Sequence, residues 1–374
     1  MIKILLLIDY SSEFDRKLLR GLVQYSKENG PWLFYRLPSY YSAMHGEQGI
    51  LKWAKEWKAD AIIGQWNNDT IDLQKELNIP VVLQNYHHRS VTYSNLTGDY
   101  KGTGRMAAQF FAKRMFRNFA YFGVKGVVWS DERCEGYRQE VKRIGGEFFS
   151  FESDKQEDEI RMEVSQWLQQ LPKPVALFCC DDAHALFISE TCKMTNIPIP
   201  EEIALLGVDN DELMCNISDP PISSIELEVE RGGYSIGRLI HQQIKKEHGG
   251  TFNIVINPIR IELRQSTEKH NIKDPYILEV VKYIDAHYSS DLTIESLLAN
   301  IPLSRRNFEV KFKNAMNTSI YQYILNCRCN HLADLLLTTD RSLADLAIEV
   351  GFKDYNNISV SYTHLRAHET AANL

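Results

Sequence analysis

Residues 176–211 read ALFCCDDAHALFISETCKMTNIPIPEEIALLGVDND, and this stretch predicts the fold of the first part of the chain. The apolar runs at 176–180 and 203–208 are short enough for strands that are buried on both faces. The residues between them have helical spacing, and we expect the helix to end before Pro198, because proline removes a hydrogen-bond donor. A strand, a helix and a second strand in this order predict one unit of a parallel sheet.

Four aspartates follow these two strands. Asp181 and Asp182 come after the first strand, and Asp209 and Asp211 come after the second. The carboxyl ends of parallel strands meet at one edge of the sheet, where open α/β sheets bind small ligands. Ionised carboxylates accept hydrogen bonds from hydroxyl groups, so the site suits a hydroxyl-rich ligand. The alternative is that Asp181 and Asp182 cap the helix beginning at Ala183, and for Asp182 we favour the cap.

Strand and helix patterns alternate over the rest of the first 266 residues. This alternation predicts an α/β fold with doubly wound parallel sheets. We predict strands at 2–8, 32–36, 61–64, 80–83, 119–123 and near 148, helices at 47–57, 69–78, 100–116, 157–170 and 229–247, and closing strands at 252–256 and 259–264.

Aromatic and acidic side chains also lie just beyond predicted strand ends. Asp9 and Tyr10 follow the first strand, Trp66 follows the third, and Tyr86 follows the fourth. We predict that these four residues contact a sugar, because aromatic rings have an apolar face and a polar edge. Each aromatic side chain is equally well explained as part of the core.

Composition limits the possible functions. The 374 residues are enough for two or three domains, and a net charge of −7 argues against a protein that coats nucleic acid, though not against a local basic face. The seven cysteines have no C-x-x-C or zinc-finger spacing, so we predict reduced thiols, no metal site and no cofactor. The N-terminal MIKILLLID has the pattern of a strand rather than a signal peptide, and no apolar run is long enough for a membrane span. We expect a soluble cytoplasmic protein.

Several segments resemble the effector-binding domain of lactose-repressor and ribose-repressor family regulators, whose fold is that of the two-lobed periplasmic sugar-binding proteins. The resemblance covers about 1–266 and implies that Arg133 and Asp209 bind sugar hydroxyls. Asp181 stands where many members have a sugar-contacting asparagine. The alternative for Arg133 is a solvated side chain at the beginning of a helix. The matching segments are ALFCCDDAHAL, IPIPEEIALLGVDND, ISSIEL, GDYKGTGRMAAQFF, RNFAYFG and RCEGY.

A glycine pattern in the same region formally matches a dinucleotide-binding fingerprint. Gly102, Gly104 and Ala107 have the spacing G-x-G-x-x-A. The fingerprint should follow a strong strand, and the preceding SNLTGDY predicts a poor one. We therefore expect no dinucleotide site here.

The chain changes character after the polar segment QSTEKHNIKD at 265–274 and is helical from there on. Thr293 and Ser342 each begin a helix with the same apolar spacing, 49 residues apart. A turn and a second helix follow in both cases, which predicts two helix-turn-helix units. We predict a sugar domain at 1–266, a linker at 267–273, an AraC-type helical domain at 274–359 and an atypical tail at 360–374. Within the helical domain, the second helices of the two units lie at 304–315 and from about 356, and a long helix near 319–337 joins the units.

The duplicated pattern resembles the AraC-type DNA-binding domain. Its second helix is rich in cations, with Glu309 as the only acidic residue between 304 and 330. This helix enters the major groove in helix-turn-helix proteins. The alternative is a solvated charged face. We predict DNA contacts from Ser304, Arg305, Arg306, Asn307, Lys311, Lys313, Asn356 and Asn357, with the arginines near base edges and the lysines near phosphates.

A sugar domain followed by an AraC-type domain resembles the bacterial xylose-operon regulators. The resemblance implies a cytoplasmic transcription factor, usually an activator, that binds D-xylose, acts as a homodimer on paired half-sites of double-stranded DNA and works with RNA polymerase. The alternatives are a regulator of another sugar and a sugar-binding protein without DNA activity. We expect no enzyme, because the sequence has neither a P-loop nor a G-x-S-x-G motif.

The last residues, VSYTHLRAHETAANL, depart from the AraC-type pattern. They lack the expected lysine pair and the closing glycine, proline and Tyr-Arg. The tail has the look of a foreign sequence, with natural divergence as the alternative. Without a closing helix, we expect Leu346, Val350 and Phe352 to be partly uncovered, and a family-like ending after Ser359 to tighten DNA binding at least tenfold, about 1.4 kcal/mol.

Overall fold

The computed structural model divides the chain into two units, residues 1–269 and 270–374. No helix in the parts described is long and apolar enough to cross a membrane. The residues described are 1–8, 11–37, 39–66, 71–85, 87–246, 250–268, 272, 274–299, 301–316, 318–339 and 341–352.

The first unit contains two six-stranded sheets, each at the centre of one lobe. The first lobe begins with β1 (Ile2–Leu7), α1 (Glu13–Asn29), β2 (Trp32–Arg36), α2 (Ser39–Trp57), β3 (Ala61–Gly64), α3 (Leu73–Leu77), β4 (Val81–Leu83) and β5 (Ser94–Gly98). The second lobe follows with α4 (Tyr100–Lys113), β6 (Asn118–Val124), α5 (Val128–Arg143), β7 (Glu147–Ser153), α6 (Glu157–Gln170), β8 (Val175–Cys179), α7 (Asp182–Met194), β9 (Ile203–Val208), α8 (Glu212–Ile217) and β10 (Ser223–Leu227).

The chain then returns to the first lobe and crosses back once more. It forms α9 (Val229–Ile244) and β11 (Asn253–Ile256), then β12 (Pro258–Glu262). The first sheet has the order β11-β5-β4-β3-β1-β2 and is parallel throughout. The second has the order β12-β10-β9-β8-β6-β7 and is parallel except for β12. The predicted α/β fold with doubly wound parallel sheets is confirmed.

The three crossings between the lobes lie side by side. The Asp99 amide donates to the Ile256 carbonyl at 2.9 Å, and the Glu228 amide donates to the Asn257 carbonyl at 3.0 Å. The Glu228 carboxylate also accepts from the Asn257 side-chain amide at 2.5 Å. These bonds tie the crossings into one hinge between the lobes.

Strand β5 corrects the expectation that SNLTGDY is a poor strand. It lies inside the first sheet, between β4 and β11, with Ser94, Asn95 and Thr97 buried. The Asn95 side-chain amide donates to the Ser90 carbonyl at 2.8 Å and to Asn253 Oδ1 at 2.9 Å. Hydrogen bonds from distant residues let polar side chains occupy a buried strand, and an apolar pattern does not reveal them.

The two glycines of the fingerprint pattern have structural roles in α4. The Gly102 amide donates to the Asp99 side chain, which caps the helix. A Cβ atom on Gly104 would lie 2.1 Å from the Arg133 carbonyl oxygen of α5, and one on Gly136 of α5 would lie 2.2 Å from the Lys101 carbonyl oxygen of α4. Reciprocal glycines therefore bring the α4 and α5 backbones into direct contact, which accounts for both glycine motifs.

Three predicted helices have different bounds in the structure. Helix α2 begins at Ser39 rather than 47 and is kinked at Gly46, where φ is 61°. Helix α3 covers only Leu73–Leu77 and ends where Asn78 adopts φ 52°, and residues 67–70 lie outside the part described. Helix α4 ends at Lys113 rather than 116, because Met115 has φ 67°.

The second unit is helical, as predicted. Thr293 and Ser342 are helix N-caps, and each side-chain oxygen accepts from the amide three residues later. Phe308 and Phe312 are fully buried, and both lie on the second helix of the first helix-turn-helix pair. The helices are α10 (Pro275–His287), α11 (Ile294–Leu298), α12 (Arg305–Met316), α13 (Ile320–Thr338) and α14 (Leu343–Glu349).

The expectation that Leu346, Val350 and Phe352 are partly uncovered is wrong. Their exposed fractions are 0%, 1% and 7%. They pack with Cys329 and Leu332 of α13, so the long helix buries this apolar face. The residues from 353 onward, including Asn356, Asn357 and the tail, lie outside the described residues.

Candidate ligand-binding cleft and DNA-binding helix

The carboxyl ends of β8 and β9 lie next to each other, because these strands are parallel neighbours. Cys180 and Asp181 follow β8, and Asp209 and Asn210 follow β9. Asp209 and Asn210 have φ values of 98° and 49°, so the chain turns sharply where β9 ends. This turn brings the Asp209 carboxylate to the edge of the sheet predicted to bind a ligand.

Arg133 lies against both strand ends. Its side chain extends from α5 and is buried, with 3% of the residue exposed. One terminal nitrogen donates to the Cys180 carbonyl, and the other lies 3.7 Å from Asp209 Oδ1. The rings of Tyr100 and Trp129 each have their centroid 5.5 Å from the guanidinium carbon. Arg133 is therefore not the solvated side chain of the alternative interpretation.

The local motif R-x-x-G-Y explains this placement. Gly136 permits the close approach of α4, and the buried Tyr137 donates from its hydroxyl to the Ala176 carbonyl of β8 at 3.2 Å. The first contact holds α5 against α4 and the second holds it against the second sheet, so Arg133 reaches the end of β8. Sequence reasoning found Arg133 by resemblance, while the packing role of its neighbours needs the structure.

Two buried polar atoms in this cluster have no hydrogen-bond partner within the described part of the chain. They are Arg133 Nε and Asp209 Oδ1. Unsatisfied polar atoms are rare in protein interiors, because leaving one unpaired costs about 1–3 kcal/mol. A ligand that both accepts and donates hydrogen bonds would satisfy the two atoms, and a sugar hydroxyl does both.

The three aspartates differ in ionisation. Burial raises the pKa of Asp209 to about 6, although the Arg133 charge opposes the rise. Burial acts on Asp181 in the same direction, but its pairing with His184 outweighs burial and lowers the pKa of Asp181 below its usual value. Burial, and then the charge of Asp209, raise the pKa of Asp182 well above its usual value.

The helix cap is Asp181 and not Asp182, so the favoured interpretation of Asp182 is wrong. Asp181 Oδ1 accepts from the His184 amide at 2.8 Å. The two oxygens of Asp182 instead accept from the Asp211 amide at 2.7 Å and the Ser224 hydroxyl at 2.6 Å. Asp182 thus fixes the loop after β9, an interaction between residues too far apart for a local sequence pattern to show.

The first lobe reaches the same loop through α1. Lys17 Nζ donates to the Asp209 carbonyl at 2.8 Å, and Arg16 Nη2 lies 3.3 Å from Asp211 Oδ2. The sequence does not reveal this contact of Lys17, since a single lysine within an amphipathic helix carries no distinguishing signal. These contacts join the two lobes beside the candidate ligand cluster.

The other predicted sugar contacts are less well placed or cannot be described. Trp66 is 4% exposed, its ring nitrogen donates to the Ile71 carbonyl at 3.2 Å, and its ring packs in the core of the first lobe. The core interpretation therefore fits Trp66 better than sugar stacking. Asp9, Tyr10 and Tyr86 lie outside the described residues.

The second helix of the first helix-turn-helix pair, α12, presents a polar face. Ser304 precedes it, and Arg305, Arg306 and Asn307 form its first turn, all four exposed. Lys313, near the other end, is also exposed. The buried Phe308 and Phe312 lie on the opposite face, so these polar residues face away from the domain core.

Two of the predicted DNA contacts already form ion pairs. Arg305 pairs with Glu295 at 2.7 Å and with Glu309 at 3.1 Å. Lys311 Nζ lies 2.7 Å from Asp274 Oδ2 and is only partly exposed. Lys311 is therefore less available to a phosphate group than Lys313, a difference that the sequence spacing does not show.

Two family descriptions match the chain. Residues 108–267 match "Periplasmic binding protein-like domain", and residues 297–368 match "Helix-turn-helix domain". The chain joins a periplasmic-binding-protein-like domain to a helix-turn-helix domain. The helix-turn-helix match continues nine residues into the segment predicted to be an atypical tail.

This two-domain architecture extends to relatives over nearly the whole chain. The xylose operon regulatory protein of Escherichia coli K12 is 23% identical over 363 residues, which are 94% of this chain and 91% of the relative. The protein of that name from Haemophilus influenzae is 24% identical over 364 residues, 94% and 92% of the two chains. The solved structure of the xylose-binding transcription activator xylR has a TM-score of 0.61 at 21% identity and covers 98% of this chain and 95% of its own.

The domain composition is that of a ligand-responsive transcription regulator, a class that is generally non-enzymatic. The candidate ligand cluster of Arg133, Asp181 and Asp209 lies within the residues matched by the first family. Helices α12 and α14 lie within those matched by the second. The candidate ligand-binding residues and the helix-turn-helix helices therefore lie in different domains.

Proposed function

We propose that this protein is a sugar-responsive DNA-binding transcription regulator that activates genes for the catabolism of D-xylose or a related pentose. The observation that supports a sugar most directly is the unsatisfied buried pair Arg133 Nε and Asp209 Oδ1 in a ligand-binding fold. The resemblance to xylose operon regulators over both domains supports the pentose. A regulator that responds to another sugar is the alternative.

In this proposal Arg133 donates to sugar hydroxyl oxygens, and Asp209 and Asp181 accept from sugar hydroxyl groups. The guanidinium is held by the Cys180 carbonyl and flanked by two aromatic rings, so it is oriented before the ligand arrives. Pre-orientation lowers the entropy lost on binding. Asp9, Tyr10 and Tyr86 complete the proposed contacts from the first lobe.

The response arises from the contacts between the lobes. Two further contacts join the lobes: His87 Nδ1 lies 3.0 Å from the Gly126 carbonyl oxygen, and Arg89 pairs with Glu132 at 2.6 Å. A sugar that binds the closed arrangement better than the open one shifts the population toward closure. We propose that this shift controls DNA binding by a cytoplasmic homodimer, which acts on paired half-sites and recruits RNA polymerase.

A thermal-shift screen of the full chain tests the sugar. D-xylose should raise the unfolding temperature more than L-arabinose, D-ribose or D-glucose, because a ligand stabilises the folded state by mass action. Asp219→Asn, at an exposed position, should keep the shift, whereas Arg133→Met should lose it. If no pentose shifts the parent protein, the sugar assignment fails.

A gel-shift titration separates the regulator from a sugar-binding protein without DNA activity. The full chain should retard a duplex carrying paired half-sites, and D-xylose should change the affinity. No retardation at low salt, where non-specific binding is strongest, would favour the second function.

A further inference from the structure

We propose that Cys180, Asp181 and His184 bind a divalent transition metal ion such as Zn²⁺. One ligand atom from each residue lies within 4.8 Å of the other two. Thiolate, carboxylate and imidazole are the three ligand types that Zn²⁺ takes in proteins. Sequence analysis predicts no metal site, whereas the geometry brings one of each ligand type to a single point.

The local fold explains this convergence. Cys180 and Asp181 leave the end of β8, and the chain turns at once into α7, with Asp181 as its N-cap. The turn places His184 above them, with Nδ1 2.7 Å from Asp181 Oδ1. The Cys180 thiol lies within 4.8 Å of the ligand atoms of both other residues. All three side chains are therefore held together by one strand-to-helix turn.

Little movement is needed for coordination. Bond lengths of about 2.0–2.3 Å around a tetrahedral ion put its ligands roughly 3.3–3.8 Å apart. The Asp181–His184 contact of 2.7 Å would widen by less than about 1 Å. On binding, the Cys180 thiol loses its proton to solvent, the His184 Nδ1 atom gives up the proton that it donates to Asp181, and the ion takes the place of that hydrogen bond.

The site also has a route for the ion. Cys180 is fully buried, but the side chains of Asp181 and His184 are 19% and 21% exposed. The ion can approach from this side, and a water molecule can take the fourth position. Three protein ligands with one open position is the arrangement in which zinc remains accessible to small molecules.

The proposed metal and sugar sites share Asp181 and differ in their other residues. The sugar proposal depends on Arg133 and Asp209, which are not metal ligands. Metal binding is therefore measured without any sugar, and failure of one proposal leaves the other unaffected.

Cobalt titration of the reduced full-length protein tests the site, because Co²⁺ replaces Zn²⁺ and a cysteine ligand gives a thiolate-to-cobalt charge-transfer absorption. We expect one equivalent of Co²⁺ per chain, displaced by Zn²⁺. Cys180→Ala should abolish the absorption, and His184→Gln should weaken Co²⁺ binding at least tenfold. The matched control is Cys179→Ala, whose side chain packs in the opposite core cluster, and it should bind as the parent does.

Three results would overturn the proposal: no charge-transfer absorption in the parent, absorption that survives Cys180→Ala, or unchanged affinity in His184→Gln. Circular dichroism confirms that each variant is folded. If Cys180→Ala does not fold, the partly exposed His184 decides alone, since its replacement leaves the core intact.

Discussion

Asp209→Asn should make the unliganded protein more stable at pH 7 and weaken its binding of D-xylose. Burial raises the pKa of Asp209 from 3.8 to about 6, despite the attraction of Arg133. Each unit of difference between the folded and unfolded pKa is worth about 1.4 kcal/mol, so the ionised carboxylate lowers the free energy of unfolding by about 3 kcal/mol at pH 7. Asparagine keeps an oxygen for Arg133 and removes the charge, so we expect a gain of about 1–3 kcal/mol.

The pH dependence has a definite sign. The folded pKa of Asp209 is raised, so its stabilising contribution is full below about pH 3.8 and is lost as the pH rises through about 6. The advantage of Asp209→Asn should therefore be largest at pH 7 and fall to about half at pH 5. The affinity of Asp209→Asn for D-xylose should nevertheless be lower, because loss of a charged acceptor should cost roughly 1.5–3 kcal/mol of binding free energy.

Tryptophan fluorescence is a suitable probe, because all six tryptophans lie before residue 168 and report only on the first unit. Urea unfolding at pH 5 and pH 7 gives the stability, and calorimetry gives the sugar affinity. Asp219→Asn, at a side chain that is 80% exposed, is the control and should change neither. Lower stability of Asp209→Asn at pH 7, or an equal gain at both pH values, would refute the reasoning.

Four further substitutions test the rest of the molecule. Lys313→Ala should weaken binding to all DNA sequences alike and should reduce the slope of log affinity against log salt concentration by about one. Lys311→Ala should reduce this slope clearly less, because the Lys311 ammonium is already paired with Asp274, and equal slopes in a salt titration would contradict this. Glu309→Gln removes one of the two carboxylates that pair with Arg305, and with it the negative charge on α12, so it should tighten DNA binding about two- to fivefold at low salt. A gel shift measures this, and an unchanged affinity would be the contrary result. Gly104→Ala puts a methyl group against the α5 backbone, so it should lower the free energy of unfolding in urea by about 1–3 kcal/mol and weaken sugar binding. An unchanged stability would show that α4 and α5 can separate freely.

The sequence predicts those elements whose signal is local. Strands such as β8 and β9 are continuous apolar runs, and the caps Thr293 and Ser342 lie directly before periodic apolar residues. Strand β5 was missed because its polar side chains are satisfied by residues as distant as Asn253. Local patterns indicate what a segment prefers, whereas hydrogen bonds from remote residues can override that preference.

The candidate site divides in the same way. Arg133 and Asp209 stand in short motifs and could be predicted, but the pairing of Asp182 with the loop after β9 could not, because it joins residues 29 positions apart. The spacing C-D-x-x-H at 180–184 is a usable signal for the proposed metal site, and it differs from the C-x-x-C and zinc-finger spacings that usually indicate one.

The late pairing of β5 has a consequence during synthesis. Its neighbour β11 leaves the ribosome about 150 residues later, after all of the second lobe except β12. Until then β5 is the open edge of a nascent sheet, and exposed apolar edges recruit other chains. Ser94, Asn95 and Thr97 make β5 polar, so we expect them to lower the tendency of a partly made chain to aggregate. The same residues give the strand its weak apolar pattern.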